Sequence, residues 1–250
     1  MLDFPLVVFA VSLIALWSAA LAGAFLRKKV RPLEEDLRDD FAAVQTAILT
    51  LLSLLIGFTF SMAVSRYDQR KNYEEAEANA IGTEYVRADL LPAVDAAKVR
   101  ELLRSYLDQR VLFYTTRDLP QRRQIDTKTA QLQNELWSAV QTPAIAQPTP
   151  TMALAVMGMN DVLNSQGYTQ HAWWYRIPVE AWGLMAVIAI CCNLMMGYGG
   201  RRTSRLLLLV VPLAVSVSFF LIADIDSPLG GVIRVQPQNL LSVVQTLHSH

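Results

Sequence analysis

The chain has 250 residues, 53% of them hydrophobic, and its 22 Lys and Arg balance its 22 Asp and Glu to a formal net charge of zero. With a mean hydropathy of +0.28 it is too apolar for a disordered chain and unusual for a soluble domain, so it reads as a membrane protein. The charges of the middle segment, 66–177, also balance, 13 against 13, which gives no net field for nucleic acid, where a basic patch is expected.

A hydrocarbon core of roughly 30 Å takes about 20 apolar helical residues to cross. Four runs are long enough: Phe4 to Leu26, Phe41 to Val64, Pro178 to Tyr198 and Leu206 to Ala223. The first has an apolar part longer than a signal peptide's roughly 7–15 residues, and no positive charge precedes it, so it is expected to be a retained span. A short loop beginning "RKKVRPLEEDLRDD" joins spans one and two, and "GYGGRRTSR" joins spans three and four. The predicted organisation is a first transmembrane hairpin in 1–65, an extramembrane helical domain in 66–177, a second hairpin in 178–224 and a C-terminal tail in 225–250. The fold class is all-α: a polytopic membrane protein with four transmembrane helices.

Span two carries two adjacent stripes. Ser53, Gly57 and Ser61 recur at i, i+4 and i+8 as a small-residue face, and Leu52, Ile56 and Phe60 form a bulky apolar face beside it. One reading is packing, with small residues admitting a neighbouring helix closely and bulky ones meeting lipid or core. The other is a ring of copies in which Ile56 and Phe60 make a hydrophobic constriction. The helix then runs on through "SRYDQRKNYEE" with no breaker before Pro92. Arg66, Arg70 and Lys71 follow the apolar run, and Glu74, Glu75 and Glu77 come next. These charges fit a solvated helix with i, i+4 pairs such as Arg70 with Glu74, or, around an axis, a basic pore mouth that concentrates anions.

The middle segment holds 13 Lys or Arg and 13 Asp or Glu and reads as helices. Ala78, Ile81, Tyr85 and Ala88 mark one face of the continuation of span two. Asp95 is expected to cap a helix burying Val99, Leu102, Leu103, Tyr106 and Phe113. Pro120 opens a third helix with Ile125, Leu132, Leu136 and Val140 on one face. After the break "TPAIAQPTPT" a short fourth helix carries Met152, Val156, Met159 and Leu163. In "HAWWYRIP", Trp173, Trp174 and Tyr175 suit a membrane interface with Arg176 snorkelling towards headgroups, or else an aromatic ligand cage.

For sidedness, the two hairpin loops hold Arg27, Lys28, Lys29, Arg31, Arg38, Arg201, Arg202 and Arg205, against Arg66, Arg70, Lys71, Arg176 and Arg234 on the opposite side. The positive-inside rule then puts the hairpin loops in the cytoplasm and the middle segment in the periplasm.

No enzymatic constellation assembles. His171 in a linker, His248 and His250 lack metal-ligand spacing, and Cys191 and Cys192 are adjacent within span three. Phosphate loops, nucleophile elbows and HExxH are missing, so neither catalysis nor a cofactor or metal is expected. The polar residues in or beside spans are Gln45, Glu180, Asn193 and Asp224, which in lipid would face a protein interior or an aqueous cavity. Pro212 is expected to kink span four.

"GFTFSMAVSRYDQRKNYEEAEANAIGTEYVRADLLP" and "LIADIDSPLGGVIRVQPQNL" resemble the two hallmark blocks of the bestrophin-like domain proteins of bacteria. The resemblance spans nearly the whole chain. It implies kinship with bestrophins, pentameric anion channels whose second membrane helix lines the pore and continues into a helical domain. Tyr67 and Asp68 match the residues that follow the pore helix there, whereas Gln69 and Arg70 replace a tryptophan pair. The resemblance places the middle domain in the cytosol, opposite to the charge count.

The resulting expectation is an oligomeric ion channel of the bacterial inner membrane, conducting small anions and pentameric by resemblance. The alternative is a non-conducting membrane scaffold or sensor whose middle domain binds a ligand or partner.

Overall fold

The computed structural model describes residues 4–29, 35–200 and 206–248. Its helices are α1 (Pro5–Lys29), α2 (Glu35–Arg87), a single 3-10 turn (Ala88–Leu90), α3 (Ala93–Thr115), α4 (Leu119–Ala146), α5 (Pro150–Trp174), α6 (Val179–Gly199), α7 (Leu207–Asp226) and α8 (Gln238–His248). Among the described residues there is no strand. Arg31, Arg201, Arg202, Arg205 and His250 lie outside the described residues.

Four stretches, Pro5–Lys29, Leu37–Leu90, Pro150–Gly199 and Leu208–Asp226, each contain an apolar 18-residue segment fit to cross a membrane, those segments having mean hydropathies of 2.3, 2.2, 1.8 and 2.4. Pro212 sits inside α7 without ending it. Contacts divide the chain into two compact units, Met1–Tyr67 with Arg176–Arg234, and Asp68–Tyr175 with Val235–His250. The unbroken helix α2 contributes to both.

In the first unit α1 packs on α6 and α7. The α1–α6 crossing is close because two residues lack side chains: a Cβ at Gly23 would overlap the Leu194 carbonyl, and one at Gly197 would overlap the Ala20 carbonyl. Leu16, Leu52, Met185, Ala189, Cys192, Phe219 and Ile222 form the core. After α7 the chain turns back under the control of two carboxylates. Asp224 accepts from the backbone N–H of Val232 (2.8 Å) and Ile233 (2.9 Å), and Asp226 from that of Ile177 (3.2 Å).

In the second unit α3 packs on α4 and α8, and α4 on α5. The expected core faces are buried at Ile81, Val99, Leu103, Tyr106, Phe113, Ile125, Leu132, Leu136, Val140, Met152 and Met159. Pro92 ends the α2 segment as expected, in extended conformation (φ −53°, ψ 145°).

Several expectations change. The N-cap of α3 is Pro92, and Asp95 instead lies in its first turn, where a negative charge complements the helix dipole. Helix α4 continues through Pro143 to Ala146, which shrinks the Pro-rich break to Gln147–Thr149. Thr149 then caps α5 by accepting from the Met152 N–H (3.2 Å). With no further breaker before Pro178, α5 is a full 25-residue helix rather than a short one. His171 is therefore helical, not in a linker. Trp173 is not an interfacial belt residue within this unit: it is 6% exposed, its ring centred 4.8 Å from Phe113 and 5.6 Å from Tyr114. Trp174 and Tyr175 remain exposed. The stretch taken as a tail carries α8, which packs on α3.

Candidate functional site

The span-two candidates occupy an open surface of the first unit. Ser53, Gly57 and Ser61 are exposed, and a Cβ built at Gly57 would meet nothing within 4 Å. The bulky stripe divides: Leu52 is buried in the core, Ile56 packs partly against it, and Phe60 is 40% exposed. Thr46, Thr50 and Ser53 each donate to the carbonyl four residues back, at 2.8, 2.9 and 2.9 Å. Such back-bonding satisfies a hydroxyl inside a membrane helix. It also commits the Ser53 hydrogen to the Leu49 carbonyl, so an anion passing this face meets that hydrogen only if the hydroxyl rotates.

The charged candidates fall apart in burial. Lys71 is exposed, Arg66 is half-buried with a contact to the Met62 sulfur at 3.9 Å, and Arg70 is 2% exposed. The other polar residues of the spans also separate. Glu180 is exposed, Gln45 half-buried, and Asp224 holds the returning loop described above. Asn193 is fully buried, its amide donating to the Ala189 carbonyl at 2.8 Å while its oxygen lacks a partner.

In the second unit the structure reveals a polar stripe of which the sequence reading placed Arg70, Glu74 and Glu77 on a solvated helix or at a pore mouth and did not single out Glu84. Arg70, Glu74, Glu77 and Glu84 share one face of α2 with Ile81, a line that Ala88 of the 3-10 turn continues, and all six are buried. Each carboxylate meets a different environment. Glu74 closes the N-terminus of α8: it accepts from the backbone N–H of Asn239 and Leu240, both at 3.0 Å, and from the Asn239 amide at 2.6 Å. Glu77 pairs with the Arg110 Nε on α3, and both side chains are fully buried. Around that pair, Thr169 donates to Glu77 at 3.1 Å and Tyr114 at 3.4 Å. Burial and then the Glu77 charge push the Tyr114 and Tyr106 phenols above their ordinary range, so both stay protonated. Burial alone would weaken the Arg110 charge, but Glu77 more than offsets it and the guanidinium is held more firmly protonated than usual. Glu84 has no hydrogen-bond partner on either oxygen. The signal that could have raised the question was the spacing 70, 74, 77, 81, 84, 88, which sets Ile81 and Ala88 on the same line as the charged residues.

Two further features complete the inventory. An apolar cavity of about 270 Å³ lies between α1, α6 and α7, lined by residues including Val8, Leu16, Trp182 and Phe219. A second, of about 370 Å³, lies between α2, α3 and α8, lined by residues including Gly82, Tyr85, Asp89, Arg100, Val243 and Leu247. At its edge Arg100 and Arg104 lie 5.3 and 5.4 Å from the Tyr85 ring centre, and Arg100 pairs with Asp89. No group of three or more His, Cys, Asp or Glu fit to hold a metal occurs among the described residues.

The fold is found in solved proteins. A bacterial bestrophin homologue from Klebsiella pneumoniae, crystallised as a point variant, superposes with a TM-score of 0.69 at 12% identity, covering 98% of both chains. A second variant gives 0.67 at 12% identity over 95% of this chain and 97% of the other. The zinc-phased form gives 0.62 at 15% identity over 97% and 95%. Comparison with curated proteins returns no match. The model of the Bestrophin-like domain matches residues 12–240. An unbroken second helix, four apolar stretches and that match over nearly the whole chain lead to one assignment: the protein is an integral membrane protein of the Bestrophin-like domain family.

Proposed function

We propose that copies of this chain surround a common axis in the bacterial inner membrane and conduct ions, anions in particular, along a pore lined by α2. The observation that carries this reading is the open face of α2. Only 17% of its apolar window is buried within the chain, and that exposed surface includes the column Ser53, Gly57 and Ser61. Leucines would serve as well against lipid, whereas small and hydroxyl residues let water or a second backbone approach. Phe60 is the freer of the two constriction candidates, since Ile56 is partly committed to the core. Lys71 and Arg66 follow the apolar run in sequence and supply positive charge, and the burial of Arg70 makes it the weakest donor of field to solvent. Family likeness favours five copies and supports a position of 66–177 outside the bilayer.

Halide flux through purified protein in liposomes tests this, with empty liposomes as control and an Ile56→Ala, Phe60→Ala double variant. Flux that rises in the double variant supports the pore. No flux in either protein, both shown to be folded, removes the channel reading.

The cavity between α2, α3 and α8 favours a second reading, a sensor whose middle domain binds a ligand. Oligomeric state separates the two, because a monomer or dimer leaves no central ring for α2 to line.

A further inference from the structure

Glu84 stands apart from the other acidic residues of its stripe. Glu74 is saturated by amides and Glu77 by Arg110, Thr169 and Tyr114, whereas the fully buried Glu84 carboxyl has neither oxygen hydrogen-bonded. A charge there would lack hydrogen bonds in a low-dielectric contact, with Arg87 offsetting only part of its desolvation.

The contact has been hollowed to admit it. Glu84 lies against Gly158 of α5, where a Cβ would overlap the Glu84 Oε2 and would sit 2.6 Å from Arg87 Nη1. The flanking α5 residues Ala155, Met159 and Val162 are each 0% exposed. The ionisable groups that act on Glu84 are Arg87 on its own helix and Asp161 on α5. The 3-10 turn also packs on α5, and its Asp89 is paired with Arg100. Burial is the main influence and raises the carboxyl, Arg87 lowers it, and Asp161 raises it again, leaving it pushed up to about 8 from an ordinary 4.5. Glu84 lies well beyond the apolar run 41–64.

We propose that Glu84 is a proton latch between α2 and α5: protonated, it lets the two helices close over Gly158; ionised, it favours a local opening in which water reaches the carboxylate. The sign follows from linkage. The closed contact holds the proton up to about pH 8, whereas an open one releases it near 4.5. Closure is therefore fully favoured below about 4.5 and is lost progressively as pH rises to about 8, opening growing by up to about tenfold per pH unit, then levelling off. The latch requires no conduction, so it stands or falls separately from the channel reading.

Amide hydrogen exchange on the full-length protein in lipid nanodiscs tests it, read in peptides covering 77–87 and 150–165 and corrected for the intrinsic pH dependence of exchange. In the native protein, protection in both segments falls at least tenfold between pH 5 and pH 8 and is constant above. In Glu84→Gln the profile is flat across that range. In Asp161→Asn, which removes the like charge, the plateau begins at lower pH. A flat native profile, or an unchanged slope in Glu84→Gln, overturns the proposal. Should Glu84→Gln fail to fold, an Asp161→Asn profile identical to the native one overturns it equally.

Discussion

Glu77 on α2 holds Arg110 on α3 with both side chains at 0% exposure. The Arg110 guanidinium also lies 4.3 Å from the Phe113 ring centre. Removing one partner leaves a bare charge in the core, which typically costs roughly 3–5 kcal/mol, whereas replacing both with apolar residues is often neutral. Arg110→Met should therefore lower the unfolding temperature of the purified protein sharply, and Glu77→Leu combined with Arg110→Met should restore most of it. Equal losses in the single and double variants would show that packing around Arg110, rather than its charge, holds the site.

Glu74 joins residues far apart in sequence, since its carboxylate takes up backbone donors at the start of α8. Loss of a helix cap typically costs about 1 kcal/mol, and here it also leaves the Asn239 amide without that partner. Glu74→Ala should release α8, seen as faster hydrogen exchange and earlier protease cleavage in 238–248, with little change in the first unit. Unaltered protection of α8 would mean that its apolar face alone docks it.

At the α1–α6 crossing, Gly197 faces the Ala20 carbonyl with no room for a Cβ. Backbone atoms cannot move aside as a flexible side chain does, so even Gly197→Ala forces the helices apart. Gly197→Leu is expected to reduce the yield of folded protein severely, and Gly57→Ala, which adds a methyl to open space, to leave it unchanged. Size-exclusion profiles in detergent compare the two directly.

Ile56 and Phe60 separate by burial, and so should their variants. Phe60→Ala should raise halide flux with little change in stability. Ile56→Ala, which removes partly buried apolar surface from the core, should lower the unfolding temperature and raise flux less. The reverse order would put Ile56 at the narrowest point of the path.

The architecture was largely legible from the chain. Apolar runs of membrane length and the stop at Pro92 are local signals, and the core faces of α3 and α4 follow from period alone, as at Leu103, Tyr106, Leu132 and Leu136. Trp173 was misread because an aromatic beside a span suits an interface and a core equally well. The α5 length was missed because its face was traced only from Met152 to Leu163, although no proline follows Pro150 before Pro178 and the helix runs on to Trp174.

The sequence by itself determined a helical membrane protein with a long second helix, because chain-local hydrophobicity and the proline positions suffice to place such helices. Only the tertiary structure decided which polar residues are sheltered. A stripe of Arg70, Glu74, Glu77 and Glu84 reads the same whether water faces it or the Arg110 side chain, the α8 amides and the bare backbone of Gly158. Burial of a charge depends on partners brought from elsewhere in the chain, and no local pattern records them.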